Sequence, residues 1–471
     1  MDTIYRLRSM DALLSKFHEL EQQEIYLSSP SRLNDPMEGY KDVFWNGDAT
    51  LWENLLGHYI LSLVWTMTYC LLADNDTFEP PSIATMISED HLPTDTAKEI
   101  YRTARRSFFS DATVSDLPNA LVSIGIPLRA YGLRLVLTAV HLRALHVVAA
   151  ELKQRNLTPA GHLNNLPNIT PIADLLKKLN SDLQDATERS DFVESLGFAS
   201  AYNSDTQSLR FFDQATDSAS LARLSKNLFL VQEFPRHYVN DITEQLIHPS
   251  WFTACFTATC QNASMWSVYA DEHRGAALVF KPKPDSSGRP ALTLNMVTGM
   301  SYAPSVPEGS PTRTKDLATL YPVTYSTRAP QVDFFKYLGQ LPRPQLERQW
   351  YTDQSGTVSP LLQRISADDA NWREQFWQLF YGTACTKLDD WKHEQEHRII
   401  VPDILGTRMR YPKATFDFSE LSGIVFGMKA KTSDKLAIIR IIAQKCKKLD
   451  RKDFQFWQMR YLPGKGQLIM T

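Results

Sequence analysis

The chain has 471 residues, 43% hydrophobic and 22% charged, ordinary globular usage that excludes a collagen-like or wholly disordered protein. The 50 basic and 53 acidic residues leave a formal charge of −3, so no global field draws the chain onto nucleic acid or anionic lipid. Five cysteines, Cys70, Cys255, Cys260, Cys385 and Cys446, are odd in number and lack C-x-x-C spacing; this argues against a disulfide framework and for a reducing, cytoplasmic compartment.

The first residues contain no apolar h-region, so no secretory leader is expected. Ile4 to Leu7 reads as a short strand. Leu13, Leu14, Phe17 and Leu20 then fall at helical spacing, with Ser9 or Asp11 available as a cap, before a second short strand at 24–28. The prolines and Asn-Asp of 29–36 make a loop. From about Trp45 to Gln245 long helical patterns dominate, such as 128–153, with polar linkers at 156–170 and 203–207. The most apolar stretch, 60–72, is too short to cross a bilayer, and 133–150 is interrupted by Arg134, His141, Arg143 and His146. Both read as buried or amphipathic helices, and no membrane partner is expected.

From Ser250 strands return, at 251–257, 275–280, 323–325, 398–401 and 424–427. Helical patterns lie at 263–269, 372–390 and 433–447, and 281–290 reads as a loop. The cations Lys431, Lys435, Arg440, Lys445 and Lys447 suit the solvated face of the last helix. The expected architecture is α+β, a small mixed or antiparallel sheet core built from residues 1–45 and 246–471. A helical insertion, 46–245, is the candidate surface for a protein partner. Walker A, G-x-G-x-x-G and G-x-S-x-G patterns are absent.

The densest chemistry lies in Trp391-Lys392-His393-Glu394-Gln395-Glu396-His397-Arg398. On a strand, alternate side chains share a face, which would aim Glu394, Glu396 and Arg398 one way. Two carboxylates that close repel unless a cation is near, and Arg398 is one. Such a pair suits stabilisation of positive charge on a sugar. A helix would instead turn His393-Glu394-x-x-His397 into a zinc signature, which the charged neighbours and the β-branched run before Pro402 oppose. The third reading is a solvated helix with Glu394 and Arg398 paired at i, i+4, with function elsewhere, as in a non-catalytic interaction protein.

Four blocks together resemble an uncharacterised bacterial family of domain-of-unknown-function proteins: Tyr5-Arg6-Leu7-Arg8-Ser9; Leu33-Asn34-Asp35-Pro36-Met37-Glu38; Cys255-Phe256-Thr257 with Met265-Trp266-x-x-Tyr269-Ala270 and Gly275-x-x-Leu278-x-Phe280; and Lys387-x-x-x-Trp391-x-x-Glu394-x-Glu396-x-Arg398 with Ile424-Val425-Phe426-Gly427. The Glu-x-Glu segment is similar to that of the ADP-ribosyltransferase superfamily. That resemblance implies NAD as substrate, transfer of ADP-ribose to a protein or nucleic acid, and a role as a toxin or anti-phage defence effector. It implies Glu396 as the residue holding the nicotinamide ribose and Glu394 as the one orienting the acceptor. Arg8, with Tyr5 beside it, would grip NAD; Thr257 would shape the nicotinamide pocket, Tyr269 or Trp266 would stack on the ring, and Arg398 would balance the carboxylates. Arg8 is chosen over Arg6 because it matches the family block, and Phe256-Thr257-Ala258 departs from the superfamily's Ser-Thr-Ser. Asn34, Asp35 and Glu38 would order the adjoining loop. No metal is implied.

Overall fold

The computed structural model describes residues 2–35, 37–72, 82–157, 171–212, 225–303, 306–404, 406 and 410–471. The chain is mixed α/β and forms two compact units. One comprises Met1–Lys41, Ser250–Pro330 and Gln378–Thr471; the other comprises Asp42–Pro249 and Gln331–Trp377.

The second unit is mainly helical. Its helices include Ala49–Leu72, Asp95–Ser110, Ala130–Gln154, Ala186–Phe212 and Phe234–Leu246. Ala49–Leu72 and Ala130–Gln154 are longer than the apolar stretches in the sequence suggest, and by length and composition alone both could cross a membrane. Of their most apolar windows, 72% and 56% are buried within the protein, as in core helices. The expected linker at 203–207 instead continues Ala186–Phe212, while most of the other, 158–170, lies outside the described residues.

Burial in this unit demands partners for its polar groups. His58 bonds Tyr238 Oη at 2.8 Å and the Thr85 carbonyl at 2.9 Å. His141 bonds Tyr59 Oη and the Leu230 carbonyl, both at 2.7 Å. Leu230 lies in a π-helical segment, Phe229–Glu233, whose wide turn departs from the α-helical bonding pattern. Burial lowers both imidazoles to about 4, which keeps them neutral.

The first unit is built on a 12-stranded mixed sheet, much larger than the small core expected. Its strands run in the order Gln467–Met470, Gln455–Leu462, Leu421–Phe426, Ala276–Phe280, Ile4–Arg8, Trp251–Thr257, Glu396–Pro402, Val306–Pro322, Pro290–Ala303, Lys413–Phe416 and Glu24–Tyr26, and Lys283–Pro284 pairs with Pro290–Ala303. One apolar cluster joins Ile4, Phe256, Leu278, Phe280, Ile399, Ile424 and Ile438. Another gathers Leu7, Trp266, Ala277, Val279, Val425 and Met459. Alternation along each strand separates the two sets.

Local chemistry departs from the sequence pattern in three places. The single early helix is two, Met10–Leu14 and Glu19–Gln22, parted by His18 in the left-handed region at φ 50°. Ser9 does cap the first, accepting from Ala12 N–H at 3.2 Å. The helix expected over 372–390 ends at Ala384, giving way to a short strand, Thr386–Leu388, parallel to Thr324–Ser326. The third departure governs the site. Ile4–Arg8 pairs with Ala276–Phe280 at all five residues but with Trp251–Thr257 only at Tyr5–Thr257. The sheet is therefore split between two neighbouring strands.

Candidate functional site

A cavity of about 230 Å³ opens along this split. Its walls include Tyr5, Arg6, Arg8, Arg32, Asn34, Glu38, Thr253, Thr257, Met265, Tyr269, Lys387, Glu394 and Glu396. Across the one paired position, Tyr5, Thr257 and Glu396 lie side by side on three strands.

The Glu-x-Glu segment is neither a continuous strand nor a helix. Residues 389–394 form a 3-10 turn, Gln395 turns through the left-handed region at φ 46°, and the strand begins at Glu396. The Thr257 hydroxyl donates to the Glu394 carbonyl at 2.7 Å, so this side chain fastens the turn to the neighbouring strand. His393 and His397 consequently lack the helical i, i+4 placement of a zinc pair, and no cluster able to hold a metal occurs among the described residues.

Both carboxylates nevertheless converge. Glu394 accepts from Tyr269 Oη and from Lys387 Nζ, each at 2.7 Å. Glu396 accepts from Arg398 Nε at 2.8 Å, from Arg398 Nη2 at 3.0 Å and from Lys387 Nζ at 3.3 Å, while its backbone N–H donates to Tyr325 Oη at 2.8 Å. Arg398 also donates to Glu38 Oε1 at 2.7 Å and to the Ala384 carbonyl at 2.8 Å. Glu38 Oε2 lies 2.6 Å from Arg398 Nη1 as an ion contact without hydrogen-bond geometry. Burial pushes the Glu396 carboxyl up, but Arg398 and then Lys387 outweigh it and hold it at about 2. Glu38 goes the other way, because burial outweighs the pull of Arg398 and raises it. Three carboxylates and two cations leave this lobe with one net negative charge.

The same lining also holds a cationic set, Arg6, Arg8 and Arg32. Arg6 spans the split, donating to the carbonyls of Cys255 and Tyr26 at 3.3 Å each. These contacts satisfy oxygens near the point where the ladder stops. Its Nε and the Thr253 hydroxyl have no partner among the described residues. Arg8 is held by Glu19, with Nε 2.7 Å from Oε2 and a second contact between Nη2 and Oε1. Arg32 donates to Tyr26 Oη at 2.8 Å. Three arginines against Glu19 leave two net positive charges.

The structure thus brings Tyr5, Arg8, Asn34, Glu38, Thr257, Tyr269, Glu394 and Glu396 to one cavity. Three expected residues lie elsewhere. Trp266 is 0% exposed, donates to the Cys260 carbonyl at 2.6 Å and belongs to the core, so it offers no stacking face. Arg398, also 0% exposed, sits outside the lining and acts on the cavity only through Glu396 and Glu38. Asp35 is buried and accepts from the Met37 N–H at 2.9 Å, an Asx-type turn. Lys387 and Tyr325 are not singled out from sequence, and Arg6, passed over there for Arg8, lines the cavity beside it. Lys387 does stand in the last family block, but its reach to both carboxylates depends on the turn at Gln395.

No family model matches the chain, and neither a curated protein nor a solved structure matches it.

Proposed function

We propose that the sheet-based unit is an ADP-ribosyltransferase-like enzyme that takes NAD as substrate and transfers ADP-ribose to a macromolecule in the cytoplasm. The observation that carries this reading is that one cavity is lined both by an acidic cluster and by a set of arginines. The lobe of Glu38, Glu394 and Glu396 carries one net negative charge, and the set of Arg6, Arg8 and Arg32 two net positive ones. NAD has the complementary pattern, a singly positive pyridinium joined through ribose to a doubly negative pyrophosphate. The cavity is smaller than the roughly 300–1,000 Å³ of most ligand sites, so part of a dinucleotide would lie across its open mouth.

In this reading Glu396, kept ionised by Arg398, accepts hydrogen bonds from the ribose hydroxyls. Its negative charge faces the positive charge that grows at the anomeric carbon as the nicotinamide bond loosens. Glu394, held among the described residues by one cation and one phenol, orients the acceptor. Tyr269 and Tyr5 supply ring surface beside the nicotinamide. Arg6, which also lines the cavity, joins Arg8 as a ligand for the pyrophosphate.

The test is incubation of the whole protein with labelled NAD and cell extract, following nicotinamide release and label on macromolecules. Glu396→Gln should cut release by about 100-fold or more, the scale on which one charge-stabilising group acts. A wild-type protein that neither releases nicotinamide nor transfers label sinks the enzyme reading.

A further inference from the structure

We propose that Lys387 is a specificity-determining residue of this cleft, setting how strongly it prefers a ligand end that carries one positive charge. The inference rests on the NAD reading above and names the charge state of the ring that the acidic lobe selects.

Lys387 lies on the short strand Thr386–Leu388 and is 5% exposed. Its ammonium stands 2.7 Å from Glu394, 3.3 Å from Glu396 and 3.4 Å from Glu38, and 4.6 Å from the centre of the Trp391 ring. Three carboxylates and an aromatic face make the kind of surroundings that bind a free cation. Lys387 occupies them from within the chain, beside the cavity that it also lines. Its presence leaves the lobe with one negative charge instead of two.

That residual charge is what an incoming pyridinium meets. Arg398 cannot make the same adjustment, because its guanidinium is fixed on Glu396, Glu38 and the Ala384 carbonyl and does not reach the cavity. Removing Lys387 should therefore strengthen binding of a cationic ring and leave a neutral ring of the same shape nearly unaffected. Oxidised and reduced dinucleotides differ in this way, and their shared pyrophosphate cancels in the ratio.

The experiment measures, by calorimetry on the full chain, the Kd of a carbocyclic NAD analogue that keeps the pyridinium and resists cleavage, and the Kd of NADH. Lys387→Met should raise the preference for the cationic ligand about ten-fold, as expected for one charge at short range in a partly buried site. Lys387→Arg, which keeps the charge, should stay within about two-fold of wild type by the same reasoning. Lys387→Gln serves in place of the methionine variant if circular dichroism shows that the latter is unfolded. An unmoved ratio in a folded neutral variant overturns the role of Lys387 alone. Wild-type protein that binds neither ligand overturns the NAD reading, and this inference with it.

Discussion

Arg398 and Glu396, two residues apart on one strand, form a two-pronged ion pair, Nε to Oε1 at 2.8 Å and Nη2 to Oε2 at 3.0 Å. The pair is buried, and Arg398 also holds Glu38. Removing one partner of such a pair costs more than the pair's net contribution, because the other charge stays buried without compensation. Arg398→Met should therefore destabilise the protein by about 3–5 kcal/mol. Urea unfolding compared with wild type checks it; a loss below about 1 kcal/mol would mean that Lys387 alone suffices for both carboxylates.

Acid should act on this cluster through two carboxyls of opposite sign. Glu396 is held at about 2, below its ordinary 4.5, so it contributes stability above 4.5 that is lost as pH falls through 2. Glu38 is raised, so when folded it takes up its proton above pH 4.5, and stability gained there as pH falls offsets part of the later loss at Glu396. Glu38→Gln removes the offset. Wild-type urea midpoints should gain on those of this variant as pH falls towards 4.5 from above, and parallel curves in that range would contradict the assignment.

The helical unit should respond at milder pH. His58 and His141 are lowered by burial to about 4 from an ordinary 6.5, so unfolded chains bind these protons first. Their contribution is complete above 6.5 and declines as pH falls from 6.5 to 4. Hydrogen exchange, corrected for its intrinsic pH dependence, should show protection in 49–72 and 130–154 weakening in that window while 396–402 keeps its protection. Equal loss in both regions would argue against these histidines as the cause.

Gly275, just before the strand Ala276–Phe280, lies so close to Ile4–Arg8 that a Cβ would stand 2.2 Å from the Arg8 carbonyl oxygen and 2.9 Å from that of Ala270. Gly275→Ala must push backbone aside at the end of the strand that carries Arg6 and Arg8. A loss of about 1–3 kcal/mol is expected from such overpacking, and, on the proposed function, weaker NAD binding beside it. Thermal melts and ligand titration read the two effects separately.

Strands rich in β-branched and aromatic residues were legible in the sequence. The pattern at 251–257 coincides with the observed Trp251–Thr257, and the Glu-x-Glu spacing pointed to residues that share one cavity. What the sequence hid was tertiary. Arg6 alternates with Tyr5 and Leu7 as any strand residue would, and nothing local records that the neighbouring strand departs after one pair. Lys387 precedes Glu394 by seven residues, and only the left-handed turn at Gln395 lets one ammonium meet both carboxylates. No element is expected over 291–322, where prolines and glycines interrupt the pattern, yet Pro290–Ala303 and Val306–Pro322 form a long hairpin whose base pairs with Glu396–Pro402 and Lys413–Phe416.

The split in the sheet also bears on the order of synthesis. Its walls are drawn from residues 5–38, 253–269 and 387–396, so the early strand emerges from the ribosome with its later neighbours still unmade. Pairings between such distant segments form slowly, after long loops have closed. A nascent chain that has reached residue 380 has Arg6 and Arg8 but no Lys387, no Glu-x-Glu and no Arg398. The cleft is thus withheld until translation has passed its last wall, and the proposed activity would be silent on any chain that ends before Lys387.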